Sequence, residues 1–263
     1  MKFKQTFYLI ISLLIWSPAI SQGSKKEYKE AAAIINSYVE DFRMDRFAED
    51  AMYFGITVTD VGSWTVDVTG NKSTNWEVLL TEGTPTKPTF IYEVDLATLK
   101  AIDKGELNAL TAQGKAFVGD FTPMRVDEME DYEPTFAEQD KINPFSFHFW
   151  TRGFPETIPF RESMTRKAHG SNFVAFYYEK GLRTAWYRIL PGERVRDDAR
   201  EQAAPFPMMG VTIKGVAEGE VDGKRVTAAE GNTVFIPANV AHKWWNDGDE
   251  AVEIVLIMFG KGA

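Results

Sequence analysis

The stretch at residues 231–246, Gly-Asn-Thr-Val-Phe-Ile-Pro-Ala-Asn-Val-Ala-His-Lys-Trp-Trp-Asn, limits what this chain can fold into more than any other. A glycine turn, an apolar strand ending at Pro237, a second short turn, and then His242 and Asn246 four residues apart make a rim-of-barrel pattern, not a helical one. Alternate side chains of an extended segment point to opposite faces, so His242, Trp244 and Asn246 are expected to share one face while Lys243 and Trp245 share the other.

The length, 263 residues with 44% hydrophobic content, suits two ordinary domains with buried cores. The chain opens Met1-Lys2-Phe3-Lys4, runs through apolar residues from Phe7 to Trp16, and reaches Ser17-Pro18-Ala19-Ile20-Ser21. A basic start, an apolar middle and small residues at a cleavage site predict a secretory signal over residues 1–21, and hence a periplasmic or secreted protein. The run is shorter than the ~20 residues a spanning helix needs, so no integral span is expected after processing. Processing after Ser21 takes the basic count from 29 to 27 against 38 acids, a net charge of −11, which argues against nucleic acid and anionic membrane surfaces as partners. With no cysteine, disulfides, thiolate metal sites and thiol nucleophiles are excluded. Asn71-Lys72-Ser73 matches a glycosylation sequon, which matters only in a eukaryotic secretory pathway.

Ser24 and Glu27 have the spacing of a capping box, and Tyr28, Ala31, Ala32, Ile35, Val39 and Phe42 recur at helical spacing, predicting an amphipathic first helix. From Tyr53 the period becomes 2. Strands are expected around Ile56 and Val58, from Trp64 to Val68, from Trp76 to Leu80 and from Phe90 to Val94. Asp95 can cap a helix carrying Leu96, Leu99 and Ile102 that stops at Gly105; a second helical piece through Leu107 and Leu110 ends at Gly114, before a last strand at 115–118. This order, with Gly62-Ser63-Trp64, Gly105-Glu106-Leu107 and Gly114-Lys115, resembles the sterol carrier protein 2 family from about Tyr28 to Asp120. The resemblance implies an α+β domain, a mixed sheet with helices, that holds a lipid or other apolar small molecule. Trp64, Trp76, Phe90, Tyr92, Leu96, Leu99 and Phe117 are then candidates to line the space. As residues of a half-buried sheet they read equally as core.

Where that family ends in an apolar helix, this chain has Asp127-Glu128-Met129-Glu130-Asp131-Tyr132-Glu133-Pro134, and seven acids between Asp127 and Asp140 read as a solvated connector. Residues 142–168 then hold Phe145, Phe147, Phe149, Trp150, Phe154 and Phe160 among Pro144, Pro155 and Pro159. So apolar a segment is expected to pack against one or both domains, as a strand joining the barrel or as a lid. His148 within it reads as a packing or hydrogen-bonded residue, and His169, beside Gly170 in a polar turn, as exposed. The expected organisation is a signal at 1–21, a sterol-carrier-like domain at 22–122, a connector at 123–168 and a barrel domain at 169–263.

From Ser171 onward short strands are expected at 172–178, 183–190, 208–214, 216–221, 233–236 and 252–259, which signals a sandwich or barrel. Together with Gly231, Pro237, His242 and Asn246 they resemble the cupin superfamily, implying an all-β double-stranded β-helix barrel that commonly dimerises. Metal-binding cupins place two histidines and an acid after a Pro-Gly turn and a third histidine at the position of His242. Counted from Pro191-Gly192, those first positions fall on Asp198, Arg200 and Ala204 or Pro205, so no cofactor is expected. His242 with Asp198 or Glu201 remains a weak candidate metal set of mostly oxygen ligands. Without a metal, His242, Trp244 and Asn246 are candidates to bind a ligand; His242 is alternatively a general base, or His242 and Asn246 are both parts of the turn that shapes the barrel mouth. Trp186, Tyr177 and Tyr178 can add an aromatic interior, with Arg183 or Arg188 offering charge.

The expected function is ligand binding in two domains, apolar in the first and small-molecule or dimerising in the second. The alternatives are a cupin enzyme using His242 and a scaffold with both pockets filled.

Overall fold

The computed structural model describes residues 24–45, 48, 51–71, 74–114, 121–128, 136–152, 157–199 and 203–263. The expected signal, Phe117, the strand at 115–118 and Glu201 lie outside them. Helix α1 (Lys25–Met44) starts at the expected capping box: the Ser24 hydroxyl accepts from the Glu27 amide, and the Glu27 carboxylate accepts from the Ser24 amide. Strands β1 (Met52–Val58), β2 (Gly62–Asn71) and β3 (Thr74–Glu82) form an antiparallel meander, and β4 (Phe90–Val94) returns parallel to β1. Asp95 caps α2 (Leu96–Asp103) through the Thr98 amide, and Asn108 caps α3 (Ala109–Gln113) through the Thr111 amide.

The acidic connector expected from residue 123 is not one throughout. Met124–Glu128 is a strand, β5, antiparallel to β4, and completes a sheet in the order β3-β2-β1-β4-β5. The aromatic segment packs against the first domain, as expected, and of its described residues only 166–168, at its end, join the barrel as a strand. It carries helix α4 (Phe136–Phe149), which continues through Pro144, and its Ile142, Phe145 and Phe149, followed by Trp150, are buried in the first domain's core. The spacing of Ile142, Phe145 and Phe149 puts them on one helical face, and that face is what covers the sheet. His148 on α4 sits 2.7 Å from the buried Asp45 carboxylate at the end of α1, a hydrogen-bonded position as expected.

Beyond a 3-10 turn at Glu162–Met164, two sheets face each other. The larger holds β6 (Arg166–Ala168), β7 (Ser171–Glu179), β8 (Leu182–Ile189), β10 (Met208–Lys214), β13 (Thr233–Ile236) and β15 (Val252–Phe259), ordered β13-β10-β15-β8-β7-β6. The smaller holds β9 (Arg194–Val195), β11 (Val216–Val221), β12 (Lys224–Ala229) and β14 (His242–Trp245), ordered β12-β11-β14-β9. The six expected barrel strands are present within one residue at each end. Strand β12 was not foreseen, because its one buried side chain is the small Ala228.

A polar seam joins the two halves. Past Phe173, β7 has no further strand on its outer side among the described residues, which leaves main-chain groups that need partners. Helix α3 supplies them: the Ala175 amide donates to Thr111 Oγ1 at 2.8 Å, and Asn108 Nδ2 donates to the Ala175 carbonyl at 2.8 Å. Arg166 in turn donates to the carbonyls of Thr111 at 2.8 Å and Gly114 at 2.7 Å, capping the end of α3 from the barrel side. Gly114 is required there, since a Cβ would fall 2.4 Å from the Phe173 ring. No described helix is long and apolar enough to cross a membrane.

Candidate functional site

Between the two sheets of the barrel lies a cavity of about 60 Å³. Its walls are mostly apolar, with Ile189, Met208, Ile236 and Leu256 from the larger sheet and Ala217, Ala228 and Trp244 from the smaller. Trp244 can lie against its neighbouring strand because its register partner on β11 is Gly219, where a Cβ would meet the indole at 2.4 Å. Into this apolar space point His169, Ser171, Tyr187, Arg196, Thr212 and His242.

His242 opens β14 and is 3% exposed, with Nδ1 2.9 Å from the Val240 carbonyl. Burial is the main cause that lowers its pKa to about 4; the Val240 bond opposes the shift, while Arg196 and His169 add to it. The ring is therefore neutral near pH 7. Nδ1 carries the proton given to Val240, and Nε2 is left with a lone pair as acceptor. Burial pushes the Tyr187 phenol up to about 12, so it stays a donor, although Arg196 pulls the other way. The Ser171 hydroxyl is fully buried and has no hydrogen-bond partner. Leaving such a group unsatisfied costs about 1–3 kcal/mol, so a ligand or water that meets it gains that much.

The sequence reading put His169 on the surface, and it missed Arg196. Instead His169 is half-buried and lines the cavity with Arg196, whose amide donates to the His169 carbonyl at 2.8 Å. Both residues sit at positive φ, 52° and 55°, uncommon for side chains of this size. The turn is driven inward because Gly170 presses on the Arg194 carbonyl, 2.0 Å from where a Cβ would stand. A histidine beside a glycine was the available signal, but the local sequence does not show what the turn packs against.

Asn246 faces no cavity wall. Its amide nitrogen donates to the carbonyls of Ile189 and Glu250, at 2.9 and 2.8 Å, and its Oδ1 accepts from the Gly248 amide at 3.0 Å. Of the expected ligand-facing group, His242 and Trp244 share the interior, and Asn246 is the staple of the turn. Trp245 lies on the other face as expected, donating to Glu218. Trp186 and Arg188 also point away, toward Glu253 and Glu162, because inward positions on β8 fall on Ala185, Tyr187 and Ile189.

The residues present do not fit the transition metal that the barrel's resemblance brings to mind. Asp198 is exposed, Ala204 is a buried apolar side chain, and a guanidinium shares the cavity with the two imidazoles. Among the described residues no group of three or more His, Asp or Glu side chains is placed to hold a metal ion.

In the first domain, Trp64, Phe90, Tyr92 and Leu99 are fully or almost fully buried, while Trp76 and Leu96 pack partly buried against the same core. Phe54, Phe90, Tyr92, Phe145 and Phe149 meet ring to ring, and the Tyr92 hydroxyl is 2.6 Å from Ser146 Oγ on α4. None of the described candidates lines the barrel cavity.

Residues 185–258 match the Cupin domain family. Solved structures similar to the chain include a cupin 2 conserved barrel domain protein from Salinispora arenicola, at 17% identity over 40% of this chain and 88% of that one, with a TM-score of 0.36. Others are the plu4264 protein from Photorhabdus luminescens, at 15% identity over 39% and 86% with a TM-score of 0.35, and an RmlC-like cupin from Shewanella frigidimarina, at 16% identity over 40% and 90% with a TM-score of 0.33. No curated protein matches the chain. Two facing sheets around a cavity agree with the match: residues 185–258 form a cupin domain.

Proposed function

We propose that this is an exported small-molecule-binding protein whose binding site is the cupin cavity. The observation that carries the reading is the fully buried, unpartnered Ser171 hydroxyl in the same cavity as the neutral His242 ring and the Tyr187 phenol. One acceptor nitrogen, one phenol donor and one hydroxyl suit a ligand group that both donates and accepts, carried on an apolar body. At about 60 Å³ the cavity holds a group of roughly four or five non-hydrogen atoms, judged by the ~10–15 Å³ a single water needs. Binding is better supported than turnover, because a base whose conjugate acid has a pKa of about 4 is poorly matched to proton abstraction near neutral pH. Export rests on the basic, apolar and small-residue order of residues 1–21. An apolar ligand held in the first domain would have to displace Phe145, Phe149 and Trp150 from the sheet.

Native mass spectrometry of protein purified without added metal or chelator tests this. A small organic adduct, lost on denaturation and weakened in Ser171→Ala and His242→Phe, is expected. A stoichiometric transition metal would overturn the reading and bring catalysis forward.

A further inference from the structure

A second cavity, about 320 Å³, lies where the first domain meets the barrel. Leu110, Val126 and Ile142 form its first-domain wall, and Tyr178, Arg183 and Phe206 its barrel wall. Its size is at the lower end of the ~300–1,000 Å³ typical of small-molecule sites. No acidic side chain lines it among the described residues.

Arg183 gives this chamber its chemistry. Its guanidinium lies 5.4 Å from the centre of the Tyr178 ring and 5.6 Å from that of Phe206, sandwiched by aromatic faces. Among the described residues its hydrogen bond is long, 3.5 Å to the Gly262 carbonyl, its buried Nε has no partner, and it makes no ion pair. Neighbouring Tyr178 is no counter-ion, since burial raises its phenol and keeps it neutral. A guanidinium carries its charge at every ordinary pH, and a planar fork held between two rings is preorganised for a carboxylate. The lining is mixed: Gln113, Asn143, His169 and Arg196 share the chamber with Leu110, Val126 and Ile142, and Arg183 is the cation held between two rings.

We infer that the inter-domain chamber is a binding site for a carboxylate on a partly apolar body, its carboxylate on Arg183 and its hydrocarbon part against Leu110, Val126 and Ile142. The inference is independent of the cupin-cavity reading, although His169, Tyr187 and Arg196 line both spaces. The site exists only where the two domains are joined, which gives the first domain a part in recognition.

Calorimetric titration of the whole protein with octanoate and with 1-octanol tests it. Octanoate is expected to bind at least ~10-fold more tightly than the alcohol, the advantage of one charge-assisted pairing. Arg183→Met, which keeps the packing between Tyr178 and Phe206, should bring the two within ~3-fold while leaving 1-octanol unchanged, and Arg183→Lys should restore part of the preference. Val126→Trp, which fills the chamber from the first domain, should abolish binding of both. Ile254→Trp, which fills the cupin cavity, should leave octanoate binding in place. No octanoate binding, an undiminished preference in Arg183→Met, or loss of octanoate in Ile254→Trp would each overturn the assignment.

Discussion

The sheet of the first domain and the interior of the barrel are both rich in aromatic residues, and they are filled in opposite ways. In the first domain Phe42, Phe54, Phe90, Tyr92, Phe145 and Phe149 close on one another, and the one polar pair among them, Tyr92 with Ser146, is self-satisfied. In the barrel Trp244 and Tyr187 stop short of contact, and Ser171 and His242 face space with hydrogen-bonding capacity in hand. Burial alone thus says little about a binding site; what separates the regions is that rings close on rings in the first, whereas the sheets of the second leave a cavity that a buried hydroxyl and a neutral imidazole line.

Three perturbations sharpen this contrast. The largest effect is expected from Phe149→Ala, which removes a fully buried ring from a cluster of ring-to-ring contacts and should cost about 3–5 kcal/mol in urea unfolding. A cost under about 1 kcal/mol would show that this core is looser than its ring contacts suggest.

The second effect comes from His242. Its folded pKa, about 4, lies below its ordinary 6.5, so between those values the unfolded chain binds a proton that the folded chain refuses. Stability from this ring is complete above about pH 6.5 and falls as the pH drops toward 4, by an amount on the order of 3 kcal/mol. Wild type should lose more stability between pH 7 and 4.5 than His242→Gln does. Parallel losses would mean that the ring is not desolvated.

The third is Asn246→Ala, which leaves the Ile189 and Glu250 carbonyls and the Gly248 amide without their partner and should cost about 1–3 kcal/mol. Because the side chain lies outside the cavity, adduct retention in the folded variant should match wild type. Selective loss of the adduct would return Asn246 to the site.

Much of the architecture was legible in the residues. Alternation located the strands of both sheets; Ser24 and Asp95 marked helix starts; and residues 231–246 announced the cupin domain, with His242 and Trp244 facing inward. Helix α4 was hidden because Pro144 and the prolines after it read as breaks, although Ile142, Phe145 and Phe149 were at helical spacing all along. Strand β5 was hidden by its acids, Asp127 and Glu128, at a sheet edge where charge is tolerated. His169 and Arg196 could not be found locally. They come from separate turns at positive φ, and only the closing of the barrel brings them to one space. Asn246 read equally as a ligand contact and as a part of the turn, and the backbone around it claims its side chain for the turn.

The bonds between Ala175 and the residues of α3 bear on how freely these parts can be recombined. A cupin excised at the boundary expected from sequence would carry His169 to Ala263 but leave behind Asn108 and Thr111, exposing strand edge that nothing in the fragment can cover. The barrel is thus a borrower of main-chain partners from another part of the polypeptide. Its folding unit is larger than the stretch that matches the family, and anyone grafting it elsewhere would have to bring the short helix as well.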